Sequence, residues 1–592
     1  MSKRHVDELS RVWECLLRDA AQAYPTLVGE FERDLERLHG LVAARGIGCF
    51  MTDLPKLAKH LERCLASGQY NPSGLPGSKP VSSGVVIPKF LRGLYLLIFD
   101  EKGSLRSDPD SQAVFFLRQL LLFAKKATLD CPVRAKTDEV WDFLTIDYAL
   151  PEPVGIWECD NPGTWAAEFG SFQSQFPQAT GAWSTLYKNL DLVSGILVAA
   201  LGVYDPSQWQ FRHGPGAIAE ATGPTNKYLW RNWHARLESC FPLADCGYHS
   251  YAAWASDIVG REFSSKEPSS RLICVPKTFS KPRLIAAEPS CHQWCQQNIW
   301  HYFRQRARDS WIDDFCRFRD QSLNQSLCLE GSREGIFATL DLSSASDHVT
   351  CWAVEALFRG NPPLLRALAA CRTRWVELPK NLGFSLHRKL NKFATMGSAC
   401  TFPVESLLFL AISIAAVLTS RGEKVTPASI KALAGQVAVF GDDIIVPRES
   451  SGVVKLALEQ IMFKVNASKS FFEGNFRESC GVDAFLGQVV TPVYWKGLQD
   501  GNPESVASTI AVHNNLVSRF LMHTAGYIAK TLRKEAIPYV EPGSGVIGLH
   551  TRTGLNPRTH RVRWNRSLHR EEVWVTTICG STSRRPTNDD SS

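Results

Sequence analysis

The chain has 592 residues, a formal net charge of +7, and a composition of 44% hydrophobic and 21% charged residues. That length supports several subdomains around more than one core, and the mild basicity permits a polyanionic partner without requiring one. Seventeen cysteines, an odd number with no C-x-x-C pair, argue against a disulfide framework or a zinc site and for buried thiols in a reducing compartment. The N-terminal residues lack the apolar core of a signal peptide. The longest apolar runs, 192–204 and 407–418, fall short of the about 20 residues that a bilayer crossing takes. The expectation is a soluble cytoplasmic protein with no membrane contact.

In chain order, residues 5–45 read as helices, with Phe31, Leu35, Leu38 and Val42 on one face and Gly46 as the stop. The Gly-, Pro- and Ser-rich stretch 68–84 predicts a surface loop. Residues 90–99 and 114–123 are strongly apolar, and the second run opens after Asp110-Ser111 as a helix does. Residues 151–163 read as a loop. The turn 211–217, Phe-Arg-His-Gly-Pro-Gly-Ala, either offers backbone N–H groups to a phosphate or is only a turn.

Residues 271–290 carry more chemistry. Arg271, Lys277, Lys281 and Arg283 alternate with strand-like apolar residues, so one hairpin edge either presents cations to a triphosphate or is a solvated basic strand. Residues 336–340 then read as a strand ending in Asp341, and Ser343, Ser344, Ser346 and Asp347 turn the chain into a helix from about 349. Asp341 is placed either to ligate a metal at the end of a buried strand or to cap a helix. The small-residue loop 396–406 leads into an apolar helix over 407–418. Glu405 is either a first-turn charge favoured by the helix dipole or a residue facing a site.

The stretch 437–447 is the one around which the rest is organised. Two apolar runs flank a Gly441-Asp442 turn, a hairpin signal that puts Asp442 and Asp443 at the tip. Adjacent carboxylates there are costly unless a cation neutralises them, and hard oxygen ligands suit Mg²⁺ or Mn²⁺. The alternative is a solvated turn, where Asp is common for backbone reasons. A helix after 447–455, strands over 485–494 and helices over 510–532 follow. Arg558, Arg561, Arg563, Arg566 and Arg570 interleave with Trp564 and suit either a nucleic-acid backbone or a solvated face. The tail 581–592 is polar and reads as disordered.

The succession of basic strand pair, strand ending in Asp, Gly-bearing loop, Gly-Asp-Asp hairpin and Lys-bearing segment is that of motifs F, A, B, C and D in template-dependent viral polymerases with a right-hand palm. Asp341-Leu-Ser-Ser-Ala-Ser-Asp347, Met396-Gly with Thr401-Phe and Glu405-Ser, Phe440-Gly-Asp-Asp-Ile-Ile and Phe463-Lys-Val-Asn resemble the replicase of the levivirus-type RNA bacteriophages. So do Phe476-Arg-Glu-Ser-Cys-Gly, Val275-Pro-Lys-Thr and Glu288-Pro-Ser, and the likeness covers about 210–495.

The resemblance implies the catalytic β subunit of an RNA-directed RNA polymerase in the cytoplasm of an infected bacterium. It would copy single-stranded phage RNA from nucleoside triphosphates without a primer, alongside the host elongation factors Tu and Ts and a ribosomal protein. The implied fold is α+β: a right hand with an antiparallel palm sheet flanked by helices. Fingers come from 1–330 and part of 350–395, the palm from 331–500 and a thumb from 501–592, with elements of 90–150 as candidates to pack under the palm. Asp341, Asp442 and Asp443 would hold two Mg²⁺ ions (Mn²⁺ as substitute) about 4 Å apart, and Lys469 would act beside them as proton donor. Lys277, Lys281 and Arg283 would bind the triphosphate, while Asp347, Gly397, Ser398, Thr401 and Glu405 would contact template or ribose.

Ser398 stands where the family has Asn, Val404 where it has Leu, and Pro403 is unusual there. Glu405 departs from the Thr–Asn pair of related viral polymerases. A reverse transcriptase shares the palm but resembles Tyr-x-Asp-Asp at this turn, where Gly441 stands. A non-catalytic RNA-binding capsid or packaging protein would need the basic segments but no spaced acidic triad.

Overall fold

A helix that is apolar all round must be surrounded by protein or lipid, and Thr401–Ser420 is such a helix. It is longer than the 407–418 run because 401–406 are already helical, and it is the one helix among the described residues with the length and apolarity to cross a membrane. Nearly all of it is buried inside the protein, against the helices Gly181–Leu201 and Ser451–Gln460 and a three-stranded sheet. The structure is a computed structural model that describes residues 3–127, 130–220, 227–248, 250–258, 260–279, 281–384, 387–497, 502–532, 537–543, 547–551 and 562–573.

The architecture is mixed helix and sheet, with helices and antiparallel strands largely in separate runs, as expected for an α+β chain. The basic segment forms β1 (Ser270–Val275) and β2 (Arg283–Ala287), an antiparallel pair in which Val275 faces Arg283. The strand β3 (Phe337–Leu340) follows, then β4 (Trp375–Glu377) and β5 (His387–Lys389), which complete a sheet in the order β2-β1-β4-β5. Next come β6 (Ala438–Phe440) and β7 (Asp443–Pro447). These pair antiparallel, and β7 pairs with β3 in the order β3-β7-β6. Every side chain of β3 is buried, which fits a strand covered on both faces.

Beyond it, β8 (Phe476–Ser479), β9 (Val482–Phe485) and β10 (Gln488–Val489) make a second antiparallel sheet. The strands expected over 485–494 are therefore cut short: Leu486 and Gly487 take left-handed φ of 49° and 76° and turn the chain, leaving only two residues in β10.

Two large cores result. One gathers the helices of 181–201, 290–308, 351–371 and 401–420 with one face of the β3-β7-β6 sheet. The other joins the N-terminal helices Lys3–Ala23, Leu54–Ser67 and Ser111–Leu122 to the β8–β9 hairpin and to the C-terminal helices Pro503–Ser518 and Met522–Thr531. Asp110 caps its helix by accepting from Gln112 and Ala113 N–H, and Gly46 ends the helix before it with φ 55°. Arg118 is fully buried, pairs with both Glu62 and Asp483, and donates to the Val490 carbonyl at 3.1 Å. Asp19 accepts from His523 and Thr524 N–H and so caps a C-terminal helix from the other end of the chain. Every described cysteine is free.

Candidate active site

The register of β3 on β7 pairs Leu340 with Ile444, so the next residues out, Asp341 and Asp443, come side by side where the sheet ends. Phe440 faces Asp443 across the hairpin, which leaves Gly441 and Asp442 as a two-residue turn. Gly441 has φ 60°, and a Cβ there would stand 3.2 Å from the Phe402 ring and 3.6 Å from Glu405 Oε1. Both the conformation and the space call for glycine. The turn thus puts Asp442 next to Asp341 on one side and Glu405 on the other.

Electrostatics binds these groups together. Burial pushes the Asp442 carboxyl up, and the Asp341 charge pushes it further, although its side chain still reaches solvent. Asp443 is raised to about 6 by burial first and then by Asp442. Its side chain turns to the β8 hairpin, where Ser479 Oγ stands 3.4 Å from Oδ1. Asp341 has tighter partners: Lys469 Nζ donates to Oδ1 at 2.9 Å, Asn466 Nδ2 donates to Oδ2 at 2.8 Å, and its own N–H donates to Ser470 Oγ at 3.1 Å. Burial alone would lower the Lys469 ammonium, but Asp341 and then Glu478 outweigh it and hold it above its ordinary value.

These carboxylates fit a divalent cation by their chemistry: hard oxygen donors at neighbouring strand ends, with Asp341 pushing up Asp442 and both pushing up Asp443, and a lysine supplying positive charge at Asp341. Among the described residues no three ligand side chains already converge on one point, so a cation would draw Asp341 and Asp442 together and share Asp341 with Lys469.

The basic hairpin faces this cluster. Lys277 is lowered by burial and then by Arg283 and Lys469, with Asp442 and Asp341 acting the other way, so Lys277 feels the charge of all four. Lys281 stands 3.4 Å from Glu139 on the helix Val133–Ala149. In the 211–217 turn the carbonyls of Gly214 and Gly216 accept from Lys227 Nζ at 3.3 and 2.6 Å.

The 395–401 loop is pinned against the same hairpin. The Ala286 N–H donates to the Met396 carbonyl at 2.8 Å, and Gly397, at φ 142°, lies so close that a Cβ would collide with the Ala286 carbonyl oxygen. Ser398 Oγ accepts from Cys400 N–H at 3.3 Å, and Thr401 Oγ donates to the Thr395 carbonyl at 2.7 Å. Because the helix starts at Thr401, Glu405 lies past its first turn, which removes the dipole explanation. Glu405 is instead a buried carboxyl with Oε2 unpartnered, pushed far up by burial and then by Asp442 and Asp347.

Asp347 sits in a one-turn 3₁₀ segment, Ala345–His348. It does not cap the next helix, because that helix, Cys351–Phe358, is capped by Thr350 accepting from Ala353 N–H. Its partner is Lys392, 3.1 Å away.

Sequence reasoning missed Asn466, although it stands in a motif already singled out, and it missed Lys392, which no local pattern marks. Of the C-terminal arginines, Arg558 and Arg561 lie outside the described residues. Arg563 pairs with Glu572 across a hairpin at 2.9 Å, Arg570 pairs with the same Glu572 along its own strand at 3.2 Å, and Trp564 is exposed.

Residues 234–518, which include the carboxylates Asp341, Asp347, Glu405, Asp442 and Asp443 with Lys469 and the basic hairpin, match the family described as RNA replicase, beta-chain. The chain is also similar to replicases of RNA phages. It is 35% identical over 222 residues to the RNA-directed RNA polymerase beta chain of Enterobacteria phage fr, covering 38% of this chain and 37% of that one. It is 33% identical over 255 residues to the RNA-directed RNA polymerase subunit beta of Escherichia virus Qbeta, covering 43% of this chain and 39% of that one. The match spans about two fifths of the length of these relatives.

Among solved structures, the BmCPV RNA-dependent RNA polymerase at elongation state aligns with a TM-score of 0.39 at 10% identity, over 60% of this chain and 33% of that one. The RNA-dependent RNA polymerase of a human picorbirnavirus aligns with a TM-score of 0.34 at 12% identity, over 45% and 56%.

Proposed function

We propose that this chain is the catalytic subunit of a phage replicase, an RNA-directed RNA polymerase that copies single-stranded RNA from nucleoside triphosphates and starts without a primer. The observation that carries the reading is the meeting of Asp341 and Asp442 at adjacent strand ends, facing Lys277, Arg283 and Lys469, within the segment that matches the replicase family.

In this reading residues 331–500 form the palm, 1–330 the N-terminal region and the fingers, to which part of 350–395 also belongs, and the region from 501 a thumb. The N-terminal helices up to 127 then brace palm and thumb together. Asp341 and Asp442, with Asp443 beside them, would hold two Mg²⁺ ions, which supply neutralisation of the triphosphate and a more acidic 3′-hydroxyl. Lys277 and Arg283 bind the incoming triphosphate, with Lys281 at the edge of that site. Lys469 keeps its proton at Asp341 and is placed to give it to the departing pyrophosphate. Gly397 and Ser398 bring the backbone up to the template. Asp347, Thr401 and Glu405 bound the ribose, whose 2′-hydroxyl both donates and accepts. The relatives are named as beta chains or subunits, which supports a multi-subunit enzyme. Elongation factors Tu and Ts and a ribosomal protein are the proposed partners, in the host cytoplasm.

Nucleotide incorporation measured with and without Mg²⁺, on RNA and on DNA templates, tests this. Mg²⁺-dependent copying of RNA alone is the expected result. DNA synthesis from dNTPs would make the chain a reverse transcriptase, and RNA binding with no incorporation would make it a packaging protein.

A further inference from the structure

Lys392 is completely buried, and its ammonium lies between two carboxylates. Nζ donates to Asp347 Oδ1 at 3.1 Å and to the Phe143 carbonyl at 3.4 Å, stands 4.0 Å from Asp147 Oδ1, and sits 3.5 Å from the centroid of the Phe143 ring. A buried ammonium is tolerated only when paired, and an aromatic face adds to the pairing.

Its backbone is held as firmly. The Lys392 N–H donates to Asp147 at 3.0 Å, Arg372 donates to the Lys392 carbonyl at 2.9 Å, and Lys392 bridges to Thr350 across an antiparallel contact. Lys392 therefore cannot follow Asp347; Asp347 must come to Lys392.

Asp347 needs such an anchor. It lies in a single 3₁₀ turn that starts at Ser344 with left-handed φ 51°, and among the described residues its carboxylate has no other hydrogen-bond donor. Asp147, by contrast, is satisfied without the ammonium, since it accepts the N–H groups of both Asn391 and Lys392. Of the two carboxylates it is Asp347 that depends on Lys392.

We infer that Lys392, caged by Phe143 and Asp147 of the helix Val133–Ala149, is the positioning residue that fixes Asp347 for ribose recognition. This rests on the ribose pocket proposed above. It places a determinant of sugar specificity on a helix outside the 234–518 segment that matches the family. With Lys392 bonded to one Asp347 oxygen, the other is left to accept from a 2′-hydroxyl, in a fixed place beside Glu405. A loose Asp347 would meet ribose and deoxyribose alike.

The test is the ratio of GTP to dGTP affinity, read by competition on the whole chain so that turnover is not required, and repeated as incorporation. Lys392→Met keeps the side chain's length and removes the charge. It should lower the ribose preference by about tenfold, the worth of one buried hydrogen bond, while Lys392→Arg restores part of it. In an Asp347→Ala background Lys392→Met should change the ratio no further, which a merely structural role would not produce. Phe143→Leu, which leaves both ion pairs, should give a smaller fall that also vanishes in that background, and it decides the matter if Lys392→Met does not fold. If Asp347→Ala leaves the ratio unchanged, the ribose pocket itself is wrong. If Asp347→Ala lowers it and the Lys392 and Phe143 variants do not, or lower it equally without Asp347, the pocket stands and the role of Lys392 is overturned.

Discussion

Lys469 Nζ and Asp341 Oδ1 stand 2.9 Å apart, an ion pair between the residue that ends β3 and a segment that returns beside it after the hairpin. The pair is partly buried, so solvent weakens it less than a surface bridge. It keeps Lys469 protonated: a lysine raised by its partner contributes stability at every pH below its unfolded value of about 10.5 and loses it only as pH rises through the higher folded value. Around neutrality the pair is constant. Lys469→Leu should therefore slow single-turnover incorporation, by about 10²-fold if the residue serves as general acid, and change the pH profile of that step. Wild-type rates and profile would leave Lys469 as a counter-charge alone.

Asp341→Asn and Asp442→Asn should each abolish incorporation while RNA binding stays within a few-fold, because under the proposed function these carboxylates serve the chemistry more than the docking of the RNA. Asp443→Asn should matter less, since its side chain turns away towards Ser479. An Asp442→Asn enzyme near the wild-type rate would end the polymerase reading.

The same crowding predicts a pH dependence of stability. Asp443 is raised to about 6 in the folded protein by burial and by Asp442, against an unfolded value near 3.9. Between those values the folded state binds more protons than the unfolded one, so stability falls as pH rises through that window. Metal-free protein should melt higher at pH 5 than at pH 7, by an amount on the order of 1–2 kcal/mol, and Asp443→Asn should flatten the slope. Mg²⁺ should raise the melting temperature at pH 7 in the wild type and not in Asp442→Asn. A slope of the opposite sign would mean that carboxylates elsewhere, paired and depressed, dominate.

What the sequence made legible was local. Two apolar runs around Gly441-Asp442 sufficed for the hairpin, and the short run 336–340 with Asp341 at its end sufficed for a buried strand. Element ends were harder: the helix through Glu405 starts at Thr401 because the tight Gly397 turn has already set the chain's direction, which moved Glu405 from the first turn into the site. Residues 485–494 looked like strand by composition, but Leu486 and Gly487 turn the chain towards the Asp483–Arg118 contact. Contacts such as Arg118 with Asp483 or Lys392 with Asp147 join residues more than 240 positions apart, and nothing in their neighbourhoods signals a partner.

Arg283→Ala should raise the apparent KM for nucleotides more than it weakens RNA binding, because Lys277 feels the charges of Arg283, Asp442 and Asp341 together. An unchanged KM with weaker RNA affinity and a shallower salt dependence would assign these cations to the template path.

Glu405 gives the most discriminating case. Its carboxyl is buried, one oxygen has no hydrogen-bond partner, and burial, then Asp442 and Asp347, all oppose its ionisation; this favours the neutral acid, which can donate one hydrogen bond and accept another. A 2′-hydroxyl complements such a group, and its absence would leave the buried carboxyl unpaired at a cost of about 1–3 kcal/mol. Glu405→Gln keeps a neutral donor and acceptor in nearly the same shape and should keep most of the preference for ribonucleotides. Glu405→Ala removes both, and should admit deoxynucleotides about 10-fold more readily even if overall activity falls. Competition between ribo- and deoxynucleotides on one template separates the two substitutions. Equal loss in Gln and Ala would show that Glu405 works as a charged group, and equal retention would reduce it to packing beneath the Gly441 turn.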